Sequence, residues 1–199
     1  MATLGISSVV KTLSVGLAEN GKVLAELSFA GQEAFTEDLI VYIDKLVKKT
    51  KAQLTKIAVI DGPGSYSGIR GGLATAKTLS QTLDIPITTV SALEVLAYQH
   101  FGQTGTVAAC FHALKDEYNF ALFASKPEGM ERLTADLVLK EDGINEQLSK
   151  VKGKLLKAGP DDFPRGGFVA LLGEKLPALP LKDVLPKYSH MPNIREYKK

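Results

Sequence analysis

The chain has 199 residues, of which 45% are hydrophobic and 23% charged, with a formal net charge of +2. That is enough for one sizeable domain or two small lobes that share a core. So small a charge excludes a nucleic-acid or membrane-surface binder built on bulk electrostatics, and no apolar run approaches the roughly 18–20 residues a membrane span needs.

In chain order, the first thirty residues read as strands. The N-terminus carries no basic residue before its apolar stretch, which is unlike a secretory signal, so a cytoplasmic location is expected. Thr3 to Ser7 forms an opening strand. Thr12–Leu17 alternates, with Leu13, Val15 and Leu17 on one face and Ser14 and Gly16 on the other. Asn20-Gly21 is a strong hairpin signal, and Val23–Phe29 returns as the partner strand. A helix follows, with Thr36 as N-cap, Glu37 and Asp38 at the positive dipole end, and Leu39, Ile40, Ile43, Leu46 and Val47 at helical spacing. Lys56–Ile60 suits a buried parallel strand, residues 68–83 a second helix, Pro86–Val90 another strand and Ala92–Tyr98 a short helix. Gly102-Gln-Thr-Gly105 marks a break, dividing a first lobe (1–103) from a second (104–199). Beyond it, Thr106–Ala113 and Tyr118–Ala124 read as strands hinged on Lys115-Asp-Glu117. Residues 141–150 read as a helix and Gly167–Leu172 as a strand. Four prolines between Pro177 and Pro192 argue against regular structure there. Cys110, the only cysteine, lies in an apolar run and reads as a small buried hydrophobe.

The informative segment is Asp61-Gly-Pro-Gly-Ser-Tyr-Ser-Gly-Ile-Arg-Gly-Gly-Leu-Ala-Thr-Ala-Lys77. A strand runs into the tight turn Gly62-Pro63-Gly64, and Ser65 or Ser67 can cap the helix that begins there. Each helical glycine costs about 1 kcal/mol relative to alanine, so the glycines need a reason. Phosphate binding at the helix N-terminus is one, with Gly62, Gly64 and Ser65 as candidates, although the spacing matches neither the Walker A loop nor the dinucleotide fingerprint. Close helix packing is the other. Gly68, Gly72 and Ala76 make a small-residue stripe at spacing four, flanked by Ile69 and Leu73. Its occupant is either this chain's own backbone or a second protein.

This segment resembles the signature of the TsaB (YeaZ) family, Gly-Pro-Gly-Ser-Phe-Thr-Gly-Leu-Arg followed by a glycine- and alanine-rich helix, with Tyr66, Ser67 and Ile69 as conservative variants. Val90-Ser-Ala-Leu-Glu94 and Thr36-Glu-Asp-Leu39 are similar to neighbouring family segments. The likeness covers residues 1–100 well and the rest thinly, through Gly159-Pro160 and Pro186-Lys-Tyr188. It implies an α/β fold of the actin/Hsp70/sugar-kinase (ribonuclease H-like) type, with two lobes built on mixed sheets. It also implies a non-catalytic subunit with no cofactor and no metal, which docks on a TsaD-like protein as a heterodimer. With a TsaE-like ATPase, that complex supports threonylcarbamoyl transfer to the adenosine beside the tRNA anticodon. Contact with tRNA is then indirect, and a homodimer is expected in isolation. The docking surface implied is Thr36, Leu39, Ile40 and Ile43 on the first helix with Gly68, Ile69, Gly72, Leu73 and Ala76 on the second. Gly72→Leu is expected to abolish association and leave the monomer folded.

Departures from the family pattern bear on the alternatives. Ser7-Ser8-Val9 stands where the first strand usually ends Asp-Thr-Ser, and Phe35 where a histidine is usual. His112-Ala-Leu-Lys115 replaces an Asp-Ala-Arg-like turn. These changes weaken a nucleotide-dependent ATPase or kinase reading, in which Asp61 is the nearest candidate for a metal-binding carboxylate. As a turn residue, Asp61 is instead expected to accept backbone N–H bonds. A peptidase reading needs clustered ligands, and His100, His112 and His190 lack that spacing.

Overall fold

The computed structural model describes residues 1–30, 38–159 and 161–190. Ten strands form two five-stranded sheets. The first has the order β3-β2-β1-β4-β5, with β1 at Ala2–Ser7, β2 at Thr12–Glu19, β3 at Lys22–Ala30, β4 at Leu54–Gly62 and β5 at Ile87–Ser91. β1, β2 and β3 pair antiparallel, and β4 and β5 extend the sheet in parallel from β1. Asn20 and Gly21 both take positive φ, 53° and 74°, as the hairpin between β2 and β3 requires.

The second sheet has the order β10-β6-β7-β8, with β9 also pairing β7. Its strands are β6 (Gly105–His112), β7 (Tyr118–Lys126), β8 (Gly129–Arg132), β9 (Leu137–Leu139) and β10 (Leu155–Ala158). β6 alternates as a strand buried on both faces should. Val107, Ala109 and Phe111 join the main core, while Ala108 and Cys110 pack with Phe120 and Leu122 in a smaller cluster beneath Ile144 and Leu148.

The helices distribute over these sheets. α1 (Leu39–Thr50) and α2 (Tyr66–Leu83) touch each other and cover one face of the first sheet, where Leu39, Ile43, Leu46, Ile69 and Leu73 meet Leu4, Ile6, Val15 and Val59. α3 (Ala92–Ala97) packs against β6 and β7, and α4 (Glu141–Ser149) lies against β9. Thr36, expected to cap the first helix, lies outside the described residues. The helix starts at Leu39, and Asp38 makes no side-chain cap bond.

The run expected as a strand at Gly167–Leu172 is a helix, α5 (Gly166–Lys175), and it packs across β1, β2 and β4. A short apolar run carries no period that separates a buried strand from a buried helix. Here the small residues decide the matter. β-Carbons added at Gly5 and Gly16 would collide with the backbone of Gly166 and Gly167, and one at Gly173 would collide with the methyl of Ala58. The face of β2 that carries Ser14 and Gly16 is therefore covered by a closely approaching helix. Ser14 Oγ accepts the Gly166 N–H at 2.9 Å, and the Glu26 carboxylate accepts from Gly167 N at 2.9 Å and from Arg165 Nε at 3.0 Å. These acceptors hold the N-terminus of α5, where the helix dipole favours negative charge.

After α5 the chain runs as an extended strap. Leu179 bridges Ile87, a single 3₁₀ turn covers Leu181–Asp183, and Val184 is buried. The prolines of this stretch fit its largely irregular course.

Candidate functional site

Built up from α2, the site begins at the glycine turn. Gly62 and Gly64 have φ of 139° and 150°, values that side chains other than glycine rarely adopt. Both are pressed against the chain's own backbone, Gly62 on the Lys187 carbonyl and Gly64 on the Val9 carbonyl. Ser65 is the N-cap of α2: its hydroxyl accepts from Gly68 N at 3.4 Å, and its own N–H donates to the Val9 carbonyl at 2.8 Å. The three residues expected as phosphate binders thus build the turn and start the helix.

The small-residue stripe Gly68, Gly72 and Ala76 faces inward. β-Carbons at Gly68 and Gly72 would collide with the Ser8 carbonyl and hydroxyl, and Ala76 is fully buried. Ser8 Oγ donates to the Gly68 carbonyl at 2.8 Å, fixing the β1–β2 turn on α2. Leu39, Ile43, Ile69 and Leu73 are core residues as well, each 5% exposed or less. Of the residues expected at the docking surface and described here, Ile40 alone is exposed, at 48%. Gly72→Leu is therefore not a surface change: the larger side chain would drive α2 off Ser8 and Val59.

The outward faces of the same two helices present a different set. α2 turns Arg70 to the outside together with Ser67, half-exposed Gly71, Ala74 and Thr78, which make a second small-residue row. Beside it, α1 exposes Ile40 and Val41 with Asp44, Lys45 and Lys48. The spacing of three and four that separates buried from exposed positions on a helix distinguishes these two rows, once it is known which face meets the sheet.

The strap completes this surface. Arg70 Nε donates to the Tyr188 hydroxyl at 2.7 Å, and its guanidinium lies 5.7 Å from the ring centre of Tyr66 and 5.5 Å from that of Tyr188. Those two rings are 4.4 Å apart. The Tyr66 hydroxyl donates to the His190 carbonyl, Ser189 donates to Asn119 Oδ1 on β7, and His190 Nε2 lies 2.8 Å from a Glu117 carboxylate oxygen. None of the strap contacts was foreseen, because proline spacing gives no long-range partner.

Asp61 ends β4 beneath the strap, 2% exposed. Its backbone carbonyl accepts from Lys187 N at 2.7 Å, and its carboxylate Oδ2 lies 2.8 Å from Lys187 Nζ. The expectation that this carboxylate accepts turn N–H groups is thus replaced by an ion pair with the strap, and Oδ1 has no hydrogen-bond partner among the described residues. Burial pushes the nearby Glu94 carboxyl up, partly offset by Arg132. A cleft of about 420 Å³ opens between the halves, lined by Val9, Lys11, Ser65, Phe111, Asp161 and His190 among others. Among the described residues, no three His, Cys, Asp or Glu side chains converge as metal ligands, and no helix is long and apolar enough to cross a membrane.

Comparison with known proteins agrees with this geometry. The profile of the TsaD family, tRNA N6-adenosine threonylcarbamoyltransferase, matches residues 23–172. The tRNA threonylcarbamoyladenosine biosynthesis protein TsaB of Bacillus subtilis is 32% identical over 139 residues, covering 68% of this chain and 61% of that protein, less than two thirds of its length. The protein of the same name from Escherichia coli is 27% identical, covering 94% of this chain and 85% of its own. Among solved structures, YeaZ from Pseudomonas aeruginosa superposes with a TM-score of 0.77 at 19% identity, covering 94% of this chain and 99% of that one. That likeness shows the fold, with each of the two sheets mixing parallel and antiparallel strands.

Proposed function

Because the chain belongs to the TsaB (YeaZ) family, related to TsaD, we propose that it is a non-catalytic subunit of the machinery that makes threonylcarbamoyladenosine in tRNA. In this reading it docks on a TsaD-like catalytic protein as a heterodimer and works with a TsaE-like ATPase in the cytoplasm. It meets tRNA only through those partners, and pairs with itself when alone.

The observation that carries the reading is the outer face of α1 and α2. Ile40 and Val41 are about half exposed beside Ser67, Gly71, Ala74 and Thr78, a row short enough for a partner helix to come close. Apolar residues in such a cluster favour association when a complementary surface is present. The non-catalytic part of the reading draws support from Ser7-Ser8-Val9 at the end of β1. Ser8 there ties down α2, and the buried Asp61 carboxylate is engaged by Lys187.

Size-exclusion chromatography with light scattering, on the chain alone and mixed with the TsaD-like protein of the same source, tests this reading. A homodimer converting to a heterodimer is expected. Ala74→Arg, a substitution at an exposed position, should keep the melting temperature and weaken the heterodimer at least about a hundredfold, since a bulky charge in a close interface costs several kcal/mol. A monomer indifferent to the TsaD-like protein, or unchanged affinity in Ala74→Arg, sinks the proposal.

A further inference from the structure

The described arginines differ in one respect. Arg132 pairs with Asp136 and Arg165 with Glu26, whereas Arg70 has no carboxylate partner among the described residues. Among the described residues only its Nε is engaged, by the Tyr188 hydroxyl, which leaves the paired terminal N–H groups of the fork to other partners. Yet the side chain is not loose. The Tyr66 and Tyr188 rings lie together on one side of the guanidinium, and each ring is itself fixed. The Tyr66 hydroxyl is held by the His190 carbonyl, and Tyr188 sits between Lys187, paired to Asp61, and Ser189, bonded to Asn119.

An exposed arginine ordinarily loses rotamer freedom when it is immobilised. Here that ordering is already present in the isolated chain. Arg70 is exposed on the outer face of α2, one residue from Gly71 and one turn from Ser67 and Ala74. A planar, pre-oriented pair of N–H donors is complementary to a carboxylate, which it binds through two parallel hydrogen bonds.

We infer that Arg70 is a carboxylate receptor within the docking face, that the partner helix seated on α2 presents an Asp or Glu to it, and that the C-terminal strap is part of the docking site because Tyr188 holds the receptor in place. The inference rests on the docking reading above and deepens it by naming the partner's chemistry.

Isothermal titration of the full chain with the TsaD-like protein provides the test. Arg70→Ala should weaken binding at least about thirtyfold, the lower end for truncating one partner of an interfacial charge pair. Arg70→Lys should recover little, because an ammonium cannot reproduce the two-pronged geometry. Tyr188→Phe keeps the ring but frees Nε, and should weaken binding about three- to tenfold through faster dissociation, with the melting temperature unchanged. If Arg70→Ala binds within threefold of the parent chain while Ala74→Arg does not bind, the docking reading stands and the receptor is refuted. Full affinity in Arg70→Lys would also refute it, by reducing Arg70 to a point charge. Unchanged binding in both Arg70→Ala and Ala74→Arg would remove the docking reading and this inference together.

Discussion

Ser8 and Gly72 show how one contact settles which side of a helix is free. Ser8 donates to the Gly68 carbonyl, and there is no room for a side chain at Gly72 beneath it. The stripe of spacing four was legible in the amino-acid sequence, but whether this chain or another fills it was not, because a small residue looks the same facing a strand or a partner. Cys110, which reads as a small buried hydrophobe in the amino-acid sequence, is partly buried in the structure, and its chemistry follows. It packs beside Ala108 and Phe120, and burial pushes the thiol up to about 11. At pH 8 only about one molecule in a thousand then carries the reactive thiolate, against roughly a quarter for a free cysteine. Alkylation by iodoacetamide should accordingly run at least about a hundredfold slower than for a model thiol, and speed up about tenfold for each pH unit to about pH 11. A rate near that of free cysteine at pH 8 would show that the second sheet opens at β6.

At the level of elements, the first sheet and its hairpin were legible because each signal is local. Asn20-Gly21 demands positive φ, Leu13, Val15 and Leu17 alternate, and Leu39, Ile43 and Leu46 recur at the helical period. α5 was not, since its burial makes it apolar on most sides and its partners lie some 150 residues away in Gly5, Gly16 and Ser14. The sign of one substitution tests this packing. In an ordinary strand, Gly→Ala gains roughly 0.5–1 kcal/mol. At Gly16 it should instead cost about 3 kcal/mol, because the new methyl group overlaps the backbone of Gly166 and Gly167. Urea denaturation of Gly16→Ala reads the difference directly, and a raised midpoint would mean that α5 does not sit on β2. Glu26 belongs to the same element pair. Its carboxylate takes Gly167 N–H and Arg165, so Glu26→Ala should destabilise the fold by about 1.5–3 kcal/mol.

Across the whole molecule, each sheet draws cover from the other half of the chain: α3 lies on β6 and β7, while α5 lies on β1 and β2. The strap adds a third crossing, from Asp61 and Arg70 on one side to Asn119 and Glu117 on the other. Prolines 177, 180 and 186 announced an irregular path there, but its anchors are single polar contacts that leave no periodic trace. The Lys187–Asp61 pair is the anchor with the largest expected effect, since it joins a 2% exposed carboxylate to a side chain that is 69% exposed. Such asymmetry has a consequence. Lys187→Ala removes a largely exposed cation but strands the Asp61 charge under the strap, and should cost about 1–3 kcal/mol. Asp61→Asn added to Lys187→Ala should recover part of that loss, because the stranded charge is gone. A double variant that is less stable than Lys187→Ala alone would mean that water already reaches Asp61, and that the backbone contact of Lys187, with Tyr188 and Ser189, is what fastens the strap.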